Sequence, residues 1–310
     1  MLARILAIAL NTFREAARDR VPLALFGSGL AVGVASLLVA AMSLGRDRAE
    51  VVAVLTTSTL SLFALVSAVV LGATLLFKDY ERKTIFPILA RPIRRWELLV
   101  GKHLGVLATI ATFSFLQGAL SLTLTSIART EGVPFRAVLP WVGVGALGAL
   151  VIVRARDKST PFLLLSPALF VAEALSVGPL GDLRLYVLVT VALAIVESAI
   201  VTAVSMVFGA FSSPFLTAAL TIGIVLIGRN ADLLARLPER TFGPTIVVAG
   251  RAIARVVPNL HLYVPPRTVA MGHTGGSVAG YVGAAAGYGV LYVVVLLVLS
   301  ALVFRKRDFA

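Results

Sequence analysis

Long apolar runs alternate with short polar ones along most of the chain. A helix needs about 20 mostly apolar residues to cross a bilayer. Runs of that kind, with few or no charges, occupy 22–44, 51–77, 101–127, 185–210 and 282–304. Shorter runs occupy 137–153, 160–178 and 214–228. The pair 137–153 and 160–178 is interrupted by Pro167 and Glu173, and reads either as two tilted spans or as a re-entrant pair. The run 214–228 follows 185–210 across Ser212-Ser213-Pro214, and reads as a short span or as half of a helical hairpin that stops short. Ahead of the first span, Leu2, Ile5, Leu6, Ala9, Leu10 and Phe13 recur at three- and four-residue steps. Arg4, Asn11, Arg14, Glu15, Arg18 and Arg20 lie largely off that stripe. The pattern predicts an amphipathic helix over 1–21, lying in the membrane interface with its arginines toward the headgroups. Together these elements predict an all-α, polytopic membrane helix bundle of six to eight transmembrane helices, forming a single transmembrane domain over 1–310.

Composition agrees. Of 310 residues, 59% are hydrophobic and 14% charged, against about 45–50% and 25% in soluble domains. That excludes an ordinary soluble enzyme and a disordered chain. The net charge of +13, from 28 Lys+Arg and 15 Asp+Glu, fits cytoplasmic loops and anionic membrane lipid better than nucleic acid. With the N-terminus inside and eight crossings, all five lysines (Lys78, Lys83, Lys102, Lys158 and Lys306) fall on the inner side. The expected setting is the plasma (inner) membrane with both termini cytoplasmic, and a six-span arrangement keeps the same ends. The first 20 residues lack a continuous apolar stretch followed by a cleavage site, so no signal peptide is expected. There is no cysteine, which excludes disulfides, thiol catalysis and Cys-ligated zinc. His103, His261 and His273 are too far apart for a metal motif, and no metal or cofactor is expected.

The most polar stretch, 78–102, reads KDYERKTIFPILARPIRRWELLVGK. Ile85, Ile88 and Leu89 precede Arg91-Pro92, and Ile93, Trp96, Leu99 and Val100 follow it. Proline disfavours a helical residue before it, so two short surface helices around an Arg-Pro elbow are expected. Trp96 suits an interfacial anchor. Glu81 and Glu97 have Arg82, Lys83, Arg94 and Arg95 nearby as partners. A positive-inside signal explains the charge alone. The ordered mixture of aromatics, acids and a proline elbow exceeds what topology requires.

This order of parts resembles the permease subunits of type-2 ATP-binding-cassette (ABC) transporters: an amphipathic N-terminal helix, two spans, a cytoplasmic coupling helix, then more spans. The coupling sequence stands here as Glu81, Arg82, Thr84, Ile85, Leu89, Arg91, Pro92, Ile93 and Arg95, followed by Leu99-Val100-Gly101-Lys102. Asn11-Thr12-Phe13-Arg14-Glu15 is similar to the family's opening. Phe211-Ser212-Ser213-Pro214, Thr221 through Arg229, and Val257-Pro258-Asn259-Leu260 resemble a subgroup that includes the permease of nitrous-oxide-reductase maturation exporters. The stretch 137–178 departs from the family by its length. The resemblance implies a permease that moves an unidentified substrate, by export, on ATP hydrolysed elsewhere. It also implies an ABC ATPase partner in two copies, a homodimer, and a partner-coupling role for Glu81, Arg82, Lys83, Arg91, Pro92, Arg94, Arg95 and Glu97. The chain itself carries no phosphate-binding loop, so it is not expected to be an enzyme.

Two acids fall inside apolar runs, where a carboxylate costs about 2.5–3.5 kcal/mol or more unless it faces a bundle interior or water. Glu197 reads as a polar contact on the translocation path or at a dimer seam, or as a neutral structural acid. Glu173 reads as structural. In the outer stretch 229–281, residues 245–257 form an amphipathic helix with Arg251 and Arg255 four apart, and Gly283-x-x-x-Gly287 suggests close helix packing. The competing functions are a secondary transporter, for which no internal repeat is found, and a membrane-embedded lipid-modifying enzyme, for which no convergent acids, His or Lys are found. A purely structural scaffold is compatible with composition.

Overall fold

The computed structural model describes residues 1–42, 48–81, 94–130, 132–155, 157–178, 180–264 and 277–305. Among them are α1 (Leu2–Arg18), α2 (Arg20–Met42), α3 (Arg48–Glu81), α4 (Arg95–Thr130), α5 (Phe135–Arg154) and α6 (Phe162–Ser176). The chain continues with α7 (Asp182–Gly209), α8 (Pro214–Arg229), α9 (Ala231–Ala235), α10 (Glu239–Val256) and α11 (Val278–Arg305), with a 3₁₀ turn at Leu260–Tyr263 before the last. No strand occurs among the described residues. Helices α2, α3, α4, α5, α7 and α11 are long and apolar enough to cross a membrane, and α6 and α8 are shorter apolar helices. Helices suit this setting because hydrocarbon offers no partner for a free backbone N–H or C=O.

Helix α7 is the central post, packed by α3, α4, α8 and α11. Leu193, Ile200, Val201 and Met206 along it are buried. Small residues bring its neighbours close: a Cβ built on Gly72 of α3 would lie 2.5 Å from Ser205 Cβ. Hydroxyls on the facing sides fold back onto their own helices, as Thr56 Oγ1 to Val52 O at 2.7 Å and Ser198 Oγ to Ala194 O at 2.7 Å. The rim is the reverse. Val32, Leu38 and Val39 of α2 and Val290, Leu291 and Val295 of α11 are exposed, as lipid-facing helices require. The Gly283–Gly287 pair expected to pack closely meets nothing within 4 Å in this chain, because it sits on the outward side of α11. The close approach on that helix is at Gly289, where a Cβ would run into Val196 and lie 2.8 Å from the Tyr263 hydroxyl.

Contacts far apart in sequence assign segments to the two ends of the bundle. At one end, α1 crosses the start of α4, Arg18 reaches Asp157 at 2.6 Å, Leu99 packs with Met206 and Ala210, and Ser300 Oγ donates to Met206 O at 3.2 Å. At the other end, Arg129 Nη1 donates to Leu180 O at 3.1 Å. Segment 157–160 therefore sits at the first end, and the start of α5 and the end of α6 sit at the second. The connection between α5 and α6 thus lies at the opposite end from the start of α5 and the end of α6, as two tilted spans would place it, although α6 has only 15 residues.

Helix α8 behaves differently. Pro214 opens it, with Ser213 Oγ accepting from Leu216 N at 3.4 Å. At 1.5 Å per residue its 16 residues span about 24 Å, against about 42 Å for the 28 residues of α7. It ends at Arg229, beside Glu197 in the middle of α7. The chain then continues through α9, on which α10 packs, to the 3₁₀ turn, which docks on α7 and α8 and is bonded to α11 by Tyr263 and Tyr281. Gly243 (φ 76°) and Pro244 kink α10, so its regular part matches the amphipathic helix expected near 245–257. Val247 and Gly250 face inward, and Arg251 reaches Glu239 at 3.5 Å.

Candidate functional site

The polar stretch between α3 and α4 stands between the two longest helices. Their 34 and 36 residues give lengths of about 51 and 54 Å, well beyond a hydrocarbon core of about 30 Å. Arg82, Lys83, Arg91 and Pro92, with the expected elbow, lie outside the described residues. Glu81 is the last residue of α3, and its side chain is outside them too. On the α4 side, Arg94 is exposed and Arg95 half-buried. Glu97 is 3% exposed, and its carboxylate accepts the Arg94 N–H at 3.4 Å. An acid in the first turn answers an otherwise unpaired donor and the positive end of the helix dipole. Glu97 is thus turned into the start of α4 while Arg94 points out.

Helix α1 is seated against this same base. Ile5, Thr12, Phe13 and Ala16 are buried, whereas Leu2 and Leu6 remain exposed. The apolar stripe read from the sequence is therefore split between α4 and the exterior. The seat is made by two glycines one turn apart: a Cβ on Gly101 would lie 2.7 Å from Ile8 Cβ, and one on Gly105 would lie 2.5 Å from Ala9 O. The polar side of α1 is not left to headgroups. Arg14 and Arg18 both pair with Asp157 in the α5–α6 connection, and Arg14 Nε donates to Thr160 Oγ1 at 3.0 Å. Partial burial pushes the Asp157 carboxyl up, but bonds from the Ser159 N–H, the Ser159 and Thr160 hydroxyls and Arg18 outweigh it, holding it well below the usual carboxylate range.

A second polar centre lies within the bundle. Glu197, 1% exposed, accepts a two-pronged bond from Arg229: Nε to Oε1 at 3.0 Å and Nη2 to Oε2 at 3.0 Å. Arg229 Nη2 also donates to Ser61 Oγ at 3.2 Å. This fork geometry is the strong form of the ion pair, and it ties α3, α7 and α8 together at one depth. Behind it, Asn259 Nδ2 donates to Asp232 at 2.8 Å, and the Asn259 N–H donates to the Tyr288 hydroxyl at 2.9 Å. A Cβ on Gly228 would lie 2.6 Å from Pro258 O. The Pro-Asn-Leu motif is therefore the clasp that fastens the end of α8 to α11. Glu173 is fully buried, with Oε1 accepting from Thr123 Oγ1 at 2.6 Å and Oε2 unpartnered. Trp141 Nε1 donates to the same Thr123 hydroxyl at 2.9 Å.

Sequence reading found Glu197 but missed Arg229 and Ser61. The available signal was that a buried acid calls for a cation at its own depth, and Arg229 closes the short apolar run. It also missed Asp157, the acid in the short basic connection 154–159. Among the described residues no group of three His, Asp or Glu could hold a metal ion.

No curated protein matches the chain. A family model described as ABC-2 family transporter protein matches residues 6–309, nearly the whole length. Such a family member is a membrane transport component rather than a catalyst, and membership implies an ABC ATPase as partner. The helix bundle, the polar stretch between its longest helices and this match lead to one conclusion: the chain is a multi-pass membrane protein belonging to the ABC-2 transporter family.

Proposed function

We propose that the chain, as a single transmembrane domain, is the permease subunit of an ABC exporter. It works as a homodimer with two ATPase subunits in the inner membrane, both termini on the cytoplasmic side. Its subgroup is the one similar to nitrous-oxide-reductase maturation exporters. The residues that receive force from the ATPase are Glu81, Arg82, Lys83, Arg91, Pro92, Arg94 and Arg95, with Glu97 holding the first turn of α4. Glu197, through its pair with Arg229, belongs to the translocation path or the dimer seam.

The observation that carries this reading is the length of α3 and α4 on either side of the polar stretch. Two helices that overrun the hydrocarbon core convert a push at their joined end into movement of the central packing around α7. The exposed Arg94 supports a charged docking surface at that end, and the lysine distribution supports a cytoplasmic location for it. Charge across such a contact sets register and partner choice. The experiment is capture of the co-expressed ATPase by membrane-inserted variants. Glu81→Lys, and Arg94→Glu with Arg95→Glu, should leave insertion intact and abolish capture and stimulated ATP turnover. Unchanged capture and turnover in both would return the stretch to a topology signal.

A further inference from the structure

A cleft of roughly 190 Å³ lies between α5 and α6, with Leu116 of α4 behind it. Its α5 wall carries Gly145, Gly148 and Ala149, a small-residue face of the kind that lets helices close up. The two helices do close at Gly148, where a Cβ would lie 3.2 Å from Leu165 Cδ1, but not at Gly145, where it would meet nothing within 4 Å. Gly145, Ala149 and Phe162 are exposed on the open side. Trp141 stands at the deep end, its indole N–H held by Thr123 Oγ1 at 2.9 Å. The same Thr123 hydroxyl bonds the buried Glu173. Ser166, fully buried in the α6 wall, has a hydroxyl with no partner among the described residues.

We propose that this cleft binds one acyl chain of a glycerophospholipid from the leaflet at the α1 end, its ester carbonyl accepting the Ser166 hydroxyl and its middle carbons lying against Trp141. The long axis has the right depth. From Trp141 to Ile152 along the α5 wall is about 16 Å, against about 15 Å for one leaflet of a hydrocarbon core of about 30 Å. It also has the right direction, because Ile152 and Phe162 flank the connection in which Asp157 pairs with Arg14 and Arg18 of α1. Ser166 lies one turn in from Phe162, about 6 Å, which leaves that distance for glycerol and headgroup. A buried hydroxyl left unpaired is costly, and an ester oxygen at this depth relieves it. Water is a poor occupant, because a bound water needs two to four polar partners and the cleft offers one free hydroxyl. A partner helix is too large, since one turn about 10 Å across and 5.4 Å high fills about 400 Å³. Left empty, the walls around Gly145 lose their packing contacts. The Glu173–Thr123 contact then has a role, which is to fix Trp141 as the wall that the chain meets.

The proposal stands apart from the ATPase reading, because its measurement uses this chain alone. The sequence has two tryptophans, so Trp96→Phe leaves Trp141 as the only indole reporter. The purified full chain with that change, stripped of lipid in detergent, is titrated with phosphatidylcholine carrying either bromine at mid-chain or a nitroxide quencher on its headgroup. Bound lipid is counted by native mass spectrometry. The expected result is one retained lipid per chain, with saturable quenching of Trp141 by the mid-chain bromine and little by the headgroup nitroxide. Gly145→Leu, which fills the cleft, should abolish both the saturable quenching and the retained lipid. Gly143→Leu, exposed on α5 with no neighbour within 4 Å and outside the cleft lining, should change neither. Ester-linked lipid should bind about fivefold more tightly than its ether-linked analogue, the value of one ordinary hydrogen bond, and Ser166→Ala should erase that preference. Equal quenching from chain and headgroup would overturn the proposal. So would wild-type retention in folded Gly145→Leu, or an ester preference that survives Ser166→Ala.

Discussion

At the scale of single residues, the Glu197–Arg229 fork decides what substitutions do. Glu197→Gln keeps a hydrogen-bond acceptor for Arg229 but removes the charge that matches it. Glu197→Leu removes both and leaves a guanidinium, about one-third exposed, beside apolar side chains. Removing one member of a buried pair costs about 3–5 kcal/mol, and the partial exposure of Arg229 lowers that figure. The expected order of thermal stability in detergent is wild type, then Gln, then Leu. A Glu197→Leu, Arg229→Leu double variant should recover part of the loss. Equal melting of all four proteins would remove the pair from the stabilising contacts. Asp157 carries the pH dependence. Its pKa is depressed on folding, so the contact contributes above the ordinary aspartate range and is lost only as pH falls through the lower folded value. Release of α1, followed by proteolysis at its arginines, should be flat through neutral pH and rise only under strong acid. In Asp157→Asn it should be raised at neutral pH.

At the scale of elements, the glycine seat of α1 gives the sharpest test. A side chain at Gly105 must push the backbone carbonyl of Ala9 away, and overpacking of this kind costs about 1–3 kcal/mol. Gly105→Val should free α1 from α4 and expose Arg14 and Arg18 to trypsin. Gly143→Val should not, since a Cβ there meets nothing within 4 Å. Most helices were legible from the sequence, because 20-residue apolar runs and the three- and four-residue stripe of α1 are local signals. The family resemblance was legible from the order of parts and the motif at 81–102. What was not legible depends on contacts between distant positions. Whether 137–178 runs through the bundle rests on Arg14 and Arg18 meeting Asp157, residues almost half the chain apart. That α8 stops halfway rests on Arg229 meeting Glu197, and an apolar run of that length is compatible with either outcome. The Gly283–Gly287 spacing is a true small-residue pattern, but spacing does not say which face of α11 looks inward.

At the scale of the whole molecule, the two ends of the bundle become two sides of a membrane. The absence of native cysteine makes single-cysteine labelling direct. Cysteines replacing Arg4 and Lys158 should react from one side, and those replacing Arg136 and Arg240 from the other. Labelling of Lys158→Cys and Arg136→Cys from the same side would remove α5 as a through-running helix. The fork between α7 and α8 also bears on how the chain is made. Glu197 leaves the ribosome 32 residues before the arginine that neutralises it, a delay of about 2–6 s at ordinary elongation rates. During that interval the Glu197 carboxyl of a nascent α7 has no matching cation, and in lipid it is held as the neutral acid. The pairing of α7 with α8 therefore completes only after Arg229 has been made. A ribosome stalled before Arg229 would display an unfinished protein that membrane quality control can recognise by that one acid.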